Sequence, residues 1–102
     1  MSNMIETAEK EIIRAEILSL CSMAAPDGAS TKVVMAALKK SGYRITEAEL
    51  DTQTAYLAQK GLITEDCIDN DRLGIHRKVL RITASGTDYL EGNGGSITGI
   101  GD

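Results

Sequence analysis

Aromatic side chains are nearly absent from this 102-residue chain, which has Tyr43, Tyr56 and Tyr89 but no Phe and no Trp. Modules that grip single-stranded nucleic acid stack bases on aromatic rings, so the scarcity counts against that class. The core must come from Ile, Leu, Val, Ala and Met. Cysteine is scarce too. Cys21 and Cys67 lie far apart with no CxxC spacing, which argues against a disulfide scaffold and for two reduced thiols. No run approaches the ~20 apolar residues that span a bilayer. The opening stretch, MSNMIETAEKEII, has mixed charge and lacks the apolar segment of a signal peptide, so the expected location is cytoplasmic. There is one histidine, no GxSxG and no glycine-rich phosphate loop after a strand, so no enzyme is expected. An excess of positive charge is also missing. Eleven Lys and Arg face fifteen Asp and Glu, a net charge of −4, which opposes indiscriminate binding to nucleic acid or anionic membrane.

What is present is a regular pattern of helices and one hairpin. Apolar spacing predicts a first helix over about Met4 to Ala25. At 100° per residue, Ile13, Ile17, Leu20, Cys21 and Ala24 form one stripe, and Ile5, Ala8, Ile12, Ala15 and Met23 form a second on another side. A chain this short has little core to wrap around a helix. The second stripe is therefore expected to meet a partner subunit in a homodimer. The alternative is a helix wrapped on two sides by its own domain.

Pro26-Asp27-Gly28 breaks that helix, and Ser30 and Thr31 are good caps for the next, Lys32 to Lys40, which Gly42 ends. Thr46 with Glu49 makes a capping box for a third helix, over about 46–60, with Ile45 and Leu50 placed to staple it. Leu50, Thr54, Leu57 and Ala58 should face inward. Gly61 closes the helix and Leu62-Ile63 begins a strand. The acidic stretch Thr64 to Asp71 and the strand Arg77 to Ile82 read as a β-hairpin about Arg72 and Leu73. Thr83 to Glu91 is a short last helix. One domain over residues 1–92 and a flexible, glycine-rich tail over 93–102 are expected.

This order, with Leu57-Ala58-Gln59-Lys60-Gly61-Leu62-Ile63 leading into the hairpin and Leu80-Arg81-Ile82-Thr83-Ala84-Ser85-Gly86 leaving it, resembles the winged helix-turn-helix regulators of the MarR, PadR and ArsR types. The resemblance covers roughly residues 11–92. It implies an α+β fold with a three-helix core, a β-hairpin wing over 62–82 and a short C-terminal helix. Arg14-Ala15-Glu16-Ile17-Leu18, the Ala25-Pro26-Asp27-Gly28 break and Ala55-Tyr56-Leu57-Ala58-Gln59-Lys60-Gly61-Leu62-Ile63-Thr64 are similar to small winged-helix proteins of Mu-like prophages, putting phage origin among the implications. The longer wing and the acidic tail end depart from that narrower pattern.

The implied function is double-stranded DNA binding in transcription control, with the third helix in the major groove and the wing on the backbone. The outward face of that helix should hold Glu49, Thr52, Gln53, Tyr56, Gln59 and Lys60. Thr46, Thr52, Gln53 and Tyr56 are the expected groove contacts, and Lys32, Arg44, Arg77 and Lys78 the expected phosphate contacts. Eight of the eleven basic residues fall in elements that could flank a duplex. Glu47, Glu49, Asp51 and the four acids of the wing pull the other way. A winged helix that recognises a protein partner and binds no DNA is the competing reading. Cys67, Asp69 and His76 would share one hairpin face, yet paired-cysteine spacing is lacking, and neither a metal nor a cofactor is expected.

Overall fold

A computed structural model describes residues 3–92, with side chains from Thr7 onward. The expectations for the 93–102 tail and for the Ile5 side chain lie outside the described residues. The elements are α1 (Asn3–Met23), β1 (Ala29–Ser30), α2 (Thr31–Lys40), α3 (Glu47–Gln59), β2 (Ile63–Asn70), β3 (Ile75–Ile82) and α4 (Ala84–Leu90). This is the winged helix-turn-helix arrangement: three helices, a hairpin wing and a closing helix. The first helix stops two residues earlier than the sequence suggests.

The helix ends follow from local chemistry. Ser30 caps α2 by accepting from the Val33 amide, and Thr83 caps α4 by accepting from the Gly86 amide. Thr46 accepts from the Glu49 amide at 3.1 Å while the Glu49 carboxylate accepts from the Thr46 amide at 2.8 Å, so the capping box is complete. Both α2 and α3 end in the same way. The Gly42 and Gly61 amides donate to the Lys39 and Ala58 carbonyls, and the Tyr43 and Leu62 amides to those of Leu38 and Leu57. That pattern needs a left-handed residue, which glycine supplies at φ 97° and 78°.

The sheet is antiparallel in the order β1-β3-β2. β1 has only two residues, Ala29 opposite Leu80 and Ser30 opposite Val79, and the sequence gives no sign of it. The hairpin turns at Asp71 to Gly74, with Asn70 opposite Ile75 and Asp69 opposite His76. That register is the one expected from symmetry about Arg72 and Leu73.

The core gathers Ile13, Ile17, Leu18 and Cys21 of α1, Val34 and Leu38 of α2, Leu50 and Leu57 of α3, and Leu62, Ile63 and Leu80 around the sheet. Ile45 and Leu50, the staple pair, are both buried. Leu18 lies outside the expected stripe but is fully buried, since α1 is covered by α2, α3, α4 and β3 together. The second stripe stays in solvent: Ile12 is 48% and Met23 74% exposed, Ala8 is exposed and Ala15 half-buried.

Candidate nucleic-acid interface

The third helix runs into the hairpin through Lys60 to Leu62. Buried Leu50, Gln53, Thr54 and Leu57 fix which side points inward. At 100° per residue the opposite side is centred on Ala48, Thr52, Ala55 and Gln59, all exposed. Glu47 and Asp51 border it on one flank, Glu49 and Tyr56 on the other. The centre is therefore small and uncharged, and its two polar groups are Thr52 and Gln59. The Thr52 hydroxyl donates to the Ala48 carbonyl at 3.0 Å, leaving its oxygen able to accept.

Two of the expected groove contacts, Gln53 and Tyr56, need correction. Gln53 is 5% exposed and its Oε1 accepts from Arg14 Nε of α1 at 2.6 Å, so it reads no base. Its position beside exposed Thr52 suggested an outward residue, and the partner lies 39 residues away, beyond the reach of local pattern. Tyr56 is half-buried, with the Arg14 guanidinium carbon 3.9 Å from the centre of its ring and Lys60 Nζ at 5.5 Å. It borders the exposed face instead of occupying it. Thr46 is exposed; its amide is taken by Glu49, while its hydroxyl accepts from the Glu49 amide and keeps its proton for another acceptor.

The expected phosphate contacts divide in two. Lys32, Arg77 and Lys78 line one open groove of about 910 Å³ between α2, the start of α3 and β3. Lys39 and His76 join them on its walls, Glu47 and Asp51 add two carboxylates there, and Val33, Ala36, Leu50 and Ile75 contribute apolar surface. Arg44 and Thr46 line a second hollow of about 590 Å³ at the α2–α3 turn, where Lys39 also reaches. Lys39 thus borders both, and sequence reasoning placed it in the basic cluster without choosing it.

Lys78 is the exception among these cations. Its Nζ sits 3.8 Å from Asp51 Oδ1 and 3.7 Å from Glu65 Oε2, so it braces the wing against α3. Glu65 Oε2 is buried and has no hydrogen-bond partner, so the nearby ammonium is its compensation. Arg81 pairs with Asp66 across the hairpin. His76 Nδ1 lies 3.0 Å from Asp69 Oδ1, and its Nε2 3.8 Å from Asp71 Oδ1. Acids therefore neutralise two of the wing's cations, Lys78 and Arg81. Among the described residues, ion pairs hold Lys78 and Arg81, whereas none holds Lys32, Lys39, Arg44, Arg72 or Arg77.

Other chemistry finds little footing. Among the described residues no group of three or more His, Cys, Asp or Glu side chains is arranged to hold a metal ion. Cys67 is exposed on the wing, and Cys21 is buried. Burial pushes the Cys21 thiol up to about 11, the behaviour of an inert core group. No described helix is long and apolar enough to cross a membrane.

No family model matches the chain, and no curated protein is similar to it at a significant level. Among solved structures, the chain is similar to a PadR-like transcription factor from Bacteroides fragilis, with a TM-score of 0.73 and 19% sequence identity. The match covers 88% of this chain and 84% of that one. At this identity the likeness concerns the fold, which is a winged helix in both.

Proposed function

We propose that this chain binds double-stranded DNA and acts in transcription control, with the exposed face of α3 in the major groove. The observation that carries the reading is the placement of Lys32, Lys39, Arg44 and Arg77. None has an acidic partner among the described residues, and together they flank the start of α3 on two sides. A duplex lying across α3 would bring phosphates to these cations. Thr52 and Gln59 are the base-reading candidates, since they hold the centre of the exposed face and Gln suits adenine. Gln53 holds the helix from its buried side and Tyr56 from its flank, and Lys78 braces the wing. The fold of the PadR-like transcription factor supports the same reading.

Three further points belong to the proposal. Phage origin rests on the resemblance to Mu-like prophage proteins. A cytoplasmic location follows from work on DNA. A homodimer is proposed through the exposed stripe of α1, with Ala8, Ile12, Ala15 and Met23 in the contact and Ile5 completing the stripe in sequence. Two half-sites would then compensate for modest affinity per protomer.

The acidic residues favour a second reading. Glu47, Glu49 and Asp51 stand exposed on the first turns of α3, the part that goes deepest into a groove. Their place at a helix N-terminus is favourable to the helix, yet they repel phosphate. A winged helix that recognises a protein partner tolerates them better. Titration of a fluorescent duplex at two salt concentrations separates the readings. The Lys32→Gln, Lys39→Gln, Arg77→Gln variant should bind all duplexes more weakly, with a salt slope smaller by about 3. An unchanged slope would remove this groove from the DNA interface.

A further inference from the structure

We infer that Arg14 is a positioning residue for α3, setting the rotation at which Thr52 and Gln59 are presented. The consequence for recognition rests on the DNA reading above. The mechanical part does not.

Around this contact α1 and α3 share one apolar core, with Ile13 and Ile17 from α1 and Leu50 and Leu57 from α3. Aliphatic surfaces hold a helix at a distance but set its roll weakly, because the forces are not directional. Arg14 adds direction. Its Nε donates to Oε1 of the buried Gln53 side chain at 2.6 Å, and its guanidinium carbon lies over the Tyr56 ring, 3.9 Å from the centroid. Gln53 and Tyr56 are three residues apart on α3, so they occupy neighbouring turns of one side. One planar group therefore grips two successive turns of the helix.

The grip is selective for a single rotation. Gln53 follows Thr52 and is 5% exposed, so its amide has to find its partner inside the protein. Rolling α3 away would leave that amide buried without Arg14. It would also draw the Tyr56 ring off the guanidinium. A roll of about 20° moves a side chain standing ~5 Å from the helix axis by roughly 2 Å, which is enough to lose a base-edge hydrogen bond. Lysine cannot replace this group, since a point charge has neither the planar face nor the Nε–H donor.

Two variants test the inference in the full chain. Arg14→Met keeps the stem and loses both contacts, and Arg14→Lys keeps the charge. The first measurement is amide hydrogen exchange without DNA. Both variants should exchange the α3 amides from Leu50 to Leu57 at least tenfold faster, with those of α2 and β3 unchanged. Uniform acceleration, no acceleration, or full protection in Arg14→Lys would overturn the inference. The second measurement is binding to a duplex selected from a random pool and to a random duplex, at two salt concentrations. Both variants should lose tenfold or more of the discrimination while keeping the salt slope. A slope smaller by about 1 in Arg14→Met would make Arg14 a phosphate contact and overturn the positioning role. If the wild-type chain binds no duplex, the DNA reading fails and the exchange result still decides the role of Arg14.

Discussion

A Cβ placed on Gly86 would overlap the Leu62 carbonyl oxygen and fall 2.7 Å from Ile82 Cγ1, and the carbonyl is pinned. Leu62 is held by its amide to Leu57 and its carbonyl to the Thr83 amide, so no flexible end can give way. Gly86→Ala should therefore destabilise by about 1–3 kcal/mol or more, the usual cost of overpacking, seen as a lower midpoint in urea. Cys21 makes a second residue-scale prediction. Its thiol is held protonated by burial, with its value raised from 9.0 to about 11. That contribution is whole below pH 9 and is lost as pH climbs through about 11. Thermal midpoints should fall over this window more steeply in the wild type than in Cys21→Ala. A thiol reagent at pH 8 should modify Cys67 quickly and Cys21 only on unfolding. At this scale the sequence was partly legible. The buried fate of Cys21 follows from its stripe, but Gln53 does not, because Arg14 meets it only after the chain has folded.

Among the elements, α3 and the wing carry the proposed activity, and both are set by charges placed locally. Removing the capping box with Thr46→Ala should cost about 1 kcal/mol and lower the thermal midpoint by roughly 4–8 °C. Lys78→Met should act on geometry. It leaves buried Glu65 Oε2 without its ammonium and unties the wing from Asp51. The expected result is faster amide exchange in β2 and β3 beyond Val79, with a salt slope that changes less than in Arg77→Gln. Equal slope changes would return Lys78 to the phosphate contacts. The capping box, the two glycine helix ends and the hairpin register were all legible, because each is written within a few residues. β1 was not, since a two-residue strand has no period and exists only where β3 passes it. Nor could the sequence foretell which wing cations would be neutralised, since that depends on the cross-strand partner.

The whole molecule divides its surfaces by chemistry. Cations with no acidic partner among the described residues flank the start of α3 beside its own carboxylates, acids line β2, and an apolar strip of α1 is exposed at Ile12 and Met23. The strip predicts self-association. Sedimentation of the wild-type chain should give a dimer, and Ile12→Glu with Met23→Glu should give a folded monomer. A wild-type monomer at high concentration would remove α1 from the assembly. The winged-helix order was readable from sequence because the order of elements, with the 57–63 and 80–86 segments on either side of the hairpin, resembles that of winged helix-turn-helix regulators. The partner was not, because net charge averages over surfaces that the fold separates. The central claim is that α3 and its flanking cations hold duplex DNA. The direct measurement is anisotropy of a labelled duplex, drawn from the region upstream of the gene, titrated at low and moderate salt beside a random duplex. The account predicts saturable binding that weakens with salt and favours the upstream duplex. Absence of binding to either duplex at low salt would contradict it and leave protein recognition as the function of this face.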